Sequence, residues 1–330
     1  MQFKRWPLVA DRSLVNAGAA SLLIFLAACG GPAPAPSEGD ASTAPEADTG
    51  EAGTIMSLPA VWSTSALDGP VADVALAGGA SSLMAVAYER RGLEVFNLEA
   101  ERVADIVGFA IEDLANGHYV EIDGAGLTIF PGLTREGEIK AYVYGDGLST
   151  PAEIDLPIVE EGRIEGICST RARGQDGDIL RLGYWTAMDP QQLTIGVISI
   201  DAGEFAWREV SESEAGTQIG ACSLEGDLAF SDPGTAARGA LVRPGVMSQV
   251  ALSQAGELTA GRAGEPLSPL ALRDGITVRV PVKPTAMAAL GSPFGGGYPG
   301  GVIVVAGETD PGTYQAVFVD AGALTAPDAE

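Results

Sequence analysis

Short apolar runs separated by turn residues recur along most of the chain, and this pattern constrains the fold more than any other feature. The runs at 83–88, 193–200, 301–306 and 315–320 have strand length, and Gly, Pro or Asp residues stand between such runs. Gly accounts for 44 of the 330 residues, near twice its average share of about 7%. Strand-length runs divided by turn signals are typical of all-β domains, and the sequence therefore predicts an all-β fold.

Three stretches carry local predictions. Residues 119–122 are expected to pair with 127–130 across a Gly-containing turn and form a hairpin. Aliphatic residues stand at every second position of 276–282, which is the period of a half-buried strand. The segment from 98 to 114 is a helix candidate, although the spacing of its apolar residues is ambiguous between helix and strand.

Apolar runs followed by small polar turns recur at intervals of about 44–54 residues, close to the repeat of propeller blades. They lie near Val95, Val143, Val197 and Leu241, and a longer gap precedes Val317. The longer gap before Val317 could hold one complete blade and one reduced blade. The blade between 241 and 280 looks shortened. We predict a β-propeller of five to six blades over residues 56–330. The alternative is an array of β-sandwiches, which would need a second domain and a second linker.

The first 28 residues have the pattern of a secretory signal, with basic residues before an apolar run at 17–28. The run is too short to span a bilayer, which takes about 20 residues. It ends Leu26-Ala27-Ala28-Cys29, which resembles the lipobox of bacterial lipoproteins, where cleavage precedes a lipidated cysteine. The alternative is an ordinary signal peptide with a chance cysteine. By resemblance to the sorting rule of bacterial lipoproteins, Gly30 after Cys29 favours the outer membrane of a Gram-negative-type bacterium over the inner membrane.

Residues 30–54 contain only Gly, Pro, Ala, Ser, Thr, Asp and Glu. Such a segment cannot bury enough apolar surface to offset the entropy lost on ordering. We interpret residues 29–55 as a disordered, acidic tether between the lipid on Cys29 and the domain that begins at 56. The expected partner at this end of the chain is the membrane.

Charge and residue counts exclude several classes of function. The 19 Lys and Arg residues against 44 Asp and Glu give a net charge of −25, which nucleic acid would repel. A single histidine, His118, excludes a zinc site with several His ligands, and three cysteines are too few for a disulfide framework. Cys168 and Cys222 could form a disulfide in an oxidising envelope, or be two buried small hydrophobic residues.

Two segments resemble the β-propeller phytases. Near the start, Ala72-Asp73-Val74-Ala75-Leu76 precedes Arg90-Arg91-Gly92-Leu93-Glu94-Val95-Phe96-Asn97-Leu98, and near the end stands the Gly-rich segment 289–308 with Tyr298-Pro299-Gly300. The similarity extends in outline over 60–322 and is specific only in these two segments. It implies a six-bladed propeller that hydrolyses phosphomonoesters of phytate with calcium ions bound in an acidic channel.

The resemblance also implies roles for particular residues. Asp73, Glu165 and Asp232 would be metal ligands, while Arg90 and Arg91 would bind substrate phosphate in place of a Lys pair. The alternatives are a solvated turn for the two arginines and an acid at a strand edge for Glu165. No catalytic residue is identified.

Two calcium-binding turns of that family lack their acidic residue here. The corresponding stretches are 218–221, Gln-Ile-Gly-Ala, and 284–288, Pro-Thr-Ala-Met-Ala. An alternative function therefore stays open, in which a propeller of the same descent has lost its calcium site and acts as a binding or scaffold module of the envelope.

Overall fold

The structure is a computed structural model that describes residues 55–324 apart from 81, 123, 175–176, 202 and 244. The predicted signal peptide, Cys29 and nearly all of the tether lie outside the described residues. Within the described part of the chain, every regular element is a β-strand except one 3-10 helix at Ala321–Ala323. None of the described residues belongs to a helix long and apolar enough to cross a membrane. The all-β prediction is confirmed.

The strands form six consecutive groups. After β1 (Met56–Ser63), the first group contains β2 (Val71–Gly78), β3 (Leu83–Tyr88), β4 (Gly92–Phe96) and β5 (Arg102–Val107). The second contains β6 (Ile111–Leu114), β7 (Gly117–Ile122), β8 (Ala125–Thr134), β9 (Ile139–Gly145) and β10 (Ala152–Asp155). The third contains β11 (Ile164–Arg171), β12 (Asp178–Thr186), β13 (Gln192–Asp201) and β14 (Glu204–Glu214).

The second half of the domain contains one group that is much smaller than the others. The fourth group has only β15 (Ala221–Glu225) and β16 (Leu228–Asp232). The fifth contains β17 (Thr235–Arg243), β18 (Val246–Ser253), β19 (Leu258–Arg262) and β20 (Ser268–Arg273). The sixth contains β21 (Lys283–Leu290), β22 (Val302–Asp310) and β23 (Thr313–Asp320), and it is completed by β1.

The first strands of the six groups surround a common axis. In blade 2 this position is shared by the two short strands β6 and β7. In order, the inner strands are β2, β6 with β7, β11, β15, β17 and β21, and each contacts the next. The ring closes because β21 also contacts β2. Each group is therefore a blade, and the domain is a six-bladed β-propeller with a two-stranded fourth blade. The prediction of five to six blades is confirmed.

Strand β1 closes the propeller by joining the beginning of the domain to its end. It pairs antiparallel with β23, with Ala60 opposite Val319, and parallel with β20, with Met56 opposite Leu270. The last blade therefore depends on residues from both ends of the domain.

Apolar clusters fill five of the six interfaces between neighbouring blades. Successive side chains of a strand point to opposite faces of its sheet, so each blade presents one face to the blade before it and one to the blade after it. Clusters of buried apolar residues lie between blades 1 and 2, 2 and 3, 3 and 4, 5 and 6, and 6 and 1. The smallest of them, between blades 3 and 4, contains Trp185 and Leu224 together with the disulfide Cys168–Cys222.

The helix candidate at 98–114 is wrong. The structure has β5 and β6 there, and Ala100 makes the turn after β4 with a positive φ of 56°. β5 pairs with β4, and β6 pairs with β8. Hydrogen bonds to these two neighbouring strands satisfy the backbone in place of a helix.

The predicted strand at 276–282 is also wrong. β20 ends at Arg273, and the next strand begins only at Lys283. Between them the side chain of Asp274 accepts a hydrogen bond from the backbone N–H of Val280 at 2.9 Å, which holds a loop together across six positions. Val278 is buried against the fifth and sixth blades, whereas Ile276 is fully exposed. The alternating sequence is a surface loop with one anchoring side chain.

The shortened blade lies elsewhere than predicted. The expected position was between 241 and 280, but that region contains most of the complete fifth blade. The reduced blade is the fourth, at Ala221–Asp232. Its two strands are joined by a tight turn, and the chain then passes directly to the next inner strand.

Candidate functional site

The central channel of the propeller is a large cavity with a polar wall. It has a volume of about 1160 Å³ and is lined by the first strands of all six blades. The titratable side chains along its wall include Asp73, Asp113, His118, Glu165, Glu225 and Arg238. The channel is therefore where chemistry or ligand recognition is expected.

Asp73 and Asp113 connect neighbouring blades. In blade 1, Oδ2 of Asp73 accepts a hydrogen bond from the backbone N–H of Leu114, in blade 2, at 2.8 Å. One blade further on, Oδ2 of Asp113 accepts one from the backbone N–H of Ile167 at 2.7 Å. The same connection is thus made twice. It stops at blade 3, because Gly166 is the residue before Ile167 and has no carboxylate.

The same two carboxyl groups also interact with each other. Burial, and after it the negative charge of Asp113, raises the pKa of Asp73 well above its ordinary value. Burial is also the main cause that raises the pKa of Asp113. Two neighbouring carboxylates in a partly buried site cannot both ionise easily, so the pair retains one proton at a pH where an exposed pair would hold none.

Asn116, in blade 2, forms hydrogen bonds with the inner strands of three other blades. Its Oδ1 accepts a hydrogen bond from the N–H of Leu76, in blade 1, and its Nδ2 donates to the carbonyl oxygen of Ala289, in blade 6, both at 2.9 Å. The hydroxyl of Ser169, in blade 3, donates to the backbone carbonyl of Asn116. A large part of the polar wall of the channel therefore holds the ring of blades together.

His118 lies on the wall of the channel. Burial, followed by the positive charge of Arg171, lowers the pKa of His118 to about 4. The imidazole is therefore neutral at physiological pH, and it can offer one hydrogen-bond donor and one acceptor to a ligand.

The three predicted metal ligands do not form one cluster. Asp73 and Glu165 line the channel, whereas Asp232 forms an ion pair with Arg238. Calcium takes six to eight oxygen ligands. In the described ranges, no group of three or more His, Cys, Asp or Glu residues could hold a metal ion. The described side chains therefore do not gather into a site that fits the calcium ions that the resemblance implies.

Arg91 is engaged in an ion-pair network of blade 1. Its Nη2 lies 2.7 Å from Oδ2 of Asp68, and that carboxylate also lies 3.3 Å from Nη1 of Arg102. Arg102 in turn pairs at 2.6 Å with the buried carboxylate of Glu94, which accepts a hydrogen bond from the hydroxyl of Tyr88. Arg91 is thus held at the blade and does not line the channel.

Arg90 lines a second and smaller pocket of about 380 Å³. Arg135 and Glu112 line this pocket too, and Glu112 also belongs to the wall of the channel. The small pocket therefore adjoins the channel. Arg90 and Arg91, which were both predicted to bind substrate phosphate, therefore lie in different environments: Arg90 lines the small pocket and Arg91 pairs with Asp68.

Asp113, Ser223 and Arg238 are residues of the channel that sequence reasoning missed. Asp113 had a usable signal, because Ile111-Glu112-Asp113-Leu114 repeats the pattern of Val71-Ala72-Asp73-Val74 at the start of an inner strand. Ser223 and Arg238 had none, since their importance depends on the absence of two strands from blade 4.

The fold and the channel define a class of protein, a six-bladed β-propeller with one reduced blade. No protein-family model matches the chain, and no curated protein matches it. Among solved structures, it is similar to the WD40 domain of SCAP from fission yeast, with 11% identity and a TM-score of 0.32. That match covers 62% of this chain and only 44% of the other.

Two glycoside hydrolases are also similar. A thermostable family-43 glycoside hydrolase has 12% identity and a TM-score of 0.42 over 77% of this chain and 92% of its own. A GH43_1 enzyme from Xanthomonas citri has 10% identity and a TM-score of 0.42 over 78% and 89%. These likenesses concern the fold alone, and the activities in those names belong to those proteins.

Proposed function

We propose that this protein is a lipid-anchored propeller of the bacterial cell envelope that binds a small polar ligand in its central channel, without calcium-dependent catalysis. The polar channel of about 1160 Å³ supports the binding role, and the contacts of Asp73 and Asp113 weigh most directly against a calcium site. Their carboxyl groups accept backbone hydrogen bonds from the next blade and interact with each other.

Two other acids of the channel wall, Glu112 and Glu225, are similarly occupied. Glu112 forms ion pairs with Arg163 and Arg135, and Glu225 pairs with Arg173 at 3.3 Å. A carboxylate that already accepts hydrogen bonds from a guanidinium or from backbone N–H groups has fewer lone pairs left for calcium, which takes six to eight oxygen ligands. These acids therefore have structural roles that need no metal, because they connect neighbouring blades or balance the charge of nearby arginines.

The proposed location rests on the segment around Cys29. The apolar run, the order Leu-Ala-Ala-Cys and the acidic segment after it support anchoring to the outer membrane of a Gram-negative-type bacterium. A tether without large apolar residues, and with the same sign of charge as anionic lipid, would hold the propeller away from the bilayer surface.

Replacing Cys29 tests this anchoring. We expect Cys29→Ser to abolish labelling of the protein by a fatty-acid analogue and to move it from the membrane fraction to the soluble periplasmic fraction. Cys168→Ala with Cys222→Ala is the matched control, because it removes two cysteines and leaves the proposed lipidation site intact. Continued membrane association of the Cys29→Ser protein would contradict lipid anchoring.

The alternative function is the reaction that the sequence resemblance implies, calcium-dependent release of phosphate from phytate. The two similar segments support it, as does the position of Asp73 and Glu165 on the channel wall. The acids absent from two turns and the engagement of Arg91 with Asp68 weigh against it.

One assay separates the two functions. The full-length protein is incubated with phytate, with added calcium or with a chelator, and released phosphate and the melting temperature are measured. We expect no release above buffer and no rise in melting temperature with calcium. Calcium-dependent release would overturn the binding proposal in favour of the phytase-like reaction. In that case, Arg91→Ala would test the predicted phosphate contact.

A further inference from the structure

The interface between blades 4 and 5 differs from the other five. No apolar cluster occupies it among the described residues, whereas each of the others contains one. Blade 4 has two strands and presents a small face. The polar residues on the two facing surfaces are Ser223, Asp232, Arg238 and Gln249.

The alternation of side chains along the strands places these residues in the interface. Cys222 is bonded to Cys168 in blade 3, so its neighbour Ser223 points the other way, toward blade 5. On β17, Leu241 belongs to the cluster between blades 5 and 6, so Arg238 and Ala240 point back toward blade 4. Gln249 pairs with Ala240 in the sheet and shares its face.

Arg238 is the buried charge of this interface. Its side chain is 7% exposed and forms an ion pair with Asp232, which is 43% exposed. One of its guanidinium nitrogens also donates a hydrogen bond to Oε1 of Gln249. The guanidinium therefore lies in a region where little water screens its charge.

Three buried groups of this interface lack a hydrogen-bond partner among the described residues. They are Nε of Arg238, Nε2 of Gln249 and the hydroxyl of Ser223. Ser223 and Gln249 are only 7% and 2% exposed. Each of the three can donate a hydrogen bond, and a buried donor without a partner is costly. Ser223 and Arg238 also line the channel, so a ligand that displaces Asp232 from Arg238 would enter this interface from the channel.

We propose that this interface is an oxyanion-binding subsite of the channel, which takes a carboxylate or phosphate group and in which Asp232 competes with the ligand for Arg238. The proposal rests on the ligand-binding function proposed above and names the chemistry of the ligand. Arg238 supplies the charge and Ser223 a neutral donor, while Gln249 positions the guanidinium. The sequence analysis predicted that Asp232 is a metal ligand. In the structure its carboxylate pairs with Arg238, and a guanidinium that accepts one carboxylate as partner can accept another anion in its place.

The test compares anions at matched ionic strength. The melting temperature of the full-length protein is measured in sodium chloride, sodium acetate and sodium phosphate, since acetate and phosphate present the two oxyanion chemistries. We expect a rise of about 3–5 °C in acetate or phosphate relative to chloride, and the larger rise identifies the group that is bound. No rise with either anion would overturn the proposal.

Variants assign the effect to this interface. Asp232→Asn removes the competing charge and is expected to strengthen anion binding about tenfold, while Ser223→Ala weakens it. Arg238→Met should abolish the rise, whereas Arg262→Met, which removes the same charge from an exposed position of the same blade, should leave it unchanged. Equal effects of Arg238→Met and Arg262→Met would contradict the proposal.

Two further outcomes keep the proposals distinct. If Arg238→Met does not fold, Asp232→Asn and Ser223→Ala decide, because opposite shifts in affinity are expected from them. If neither anion raises the melting temperature and phytate is not hydrolysed, the proposed oxyanion subsite is contradicted, whereas the proposed binding function of the channel is not. Calcium-dependent hydrolysis would instead overturn the proposed function itself.

Discussion

Reduction of the disulfide between Cys168 and Cys222 is expected to lower the melting temperature of the domain by about 10 °C. The bridge joins residues that are 54 positions apart. Closing a loop of that length restricts the unfolded chain and stabilises the folded one by about 4 kcal/mol, and each kcal/mol shifts the melting temperature of a domain of this size by about 2–4 °C.

The position of the bridge adds a local reason. It links β11 to β15, and the apolar cluster around it is the smallest of the five. The two-stranded blade 4 therefore depends on the bridge more than a complete blade would. The first cooperative loss of structure is expected around residues 221–232.

Thermal unfolding followed by circular dichroism, with and without a reductant, measures this effect. The double variant Cys168→Ala, Cys222→Ala is the control, because it should melt close to the reduced wild-type protein and should not respond to reductant. If reductant leaves the melting temperature of the wild-type protein unchanged, the bridge does not stabilise the domain.

The second large effect is expected at the carboxyl pair. At pH 4, Asp113→Ala should lower the free energy of unfolding by about 1–3 kcal/mol, because the backbone N–H of Ile167 loses its acceptor. Asp113→Asn should retain most of that stability at pH 4. Its amide oxygen can accept from Ile167, and its NH₂ group can donate to Asp73 in place of the shared proton.

The dependence on pH follows from the raised pKa values of the pair. The folded pair holds a proton above the ordinary carboxyl pKa of about 3.9, where the unfolded chain has lost it. The stability that this proton contributes is therefore fully present below about pH 4 and is lost as the pH rises through the raised pKa values. The amide introduced by Asp113→Asn does not titrate, so this variant should become more stable than the wild-type protein as the pH rises toward 8.

Denaturant unfolding at several pH values between 4 and 8 measures this difference. Glu161→Gln removes one negative charge from an exposed position and serves as the control for general charge repulsion. A constant difference between Asp113→Asn and the wild-type protein across this range would show that the pair does not share a proton.

Much of the fold was readable from local patterns. Val95, Val143, Val197 and Val317 all lie in the third strand of their blades, so the recurring apolar run located an equivalent strand in four of them. Leu241 lies in the first strand of blade 5 and is therefore not equivalent to the other four residues. Because it was counted as equivalent, the reduced blade was predicted at the wrong position. The alternation of apolar residues at 276–282 wrongly predicted a strand. A period of two is necessary for a half-buried strand, but a strand also needs a neighbouring strand to pair with.

The candidate site was less predictable. Asp73 was identified through a family resemblance, and the structure gives it a partner in Asp113 from the next blade. Arg238 had no signal in the sequence, because an arginine in a strand is usually exposed. Its burial follows from the small size of blade 4 and from the side chains of Asp232 and Gln249.

The sequence by itself determined the all-β class, the blade repeat and the acidic composition, because each depends on the spacing or number of residues along the chain. Only the tertiary structure decided which polar groups meet in the channel. Those contacts join residues that are far apart, such as Asn116 and Ala289 at a separation of 173 positions. They form only when β1 and β21 close the ring, and no local pattern carries information about that closure.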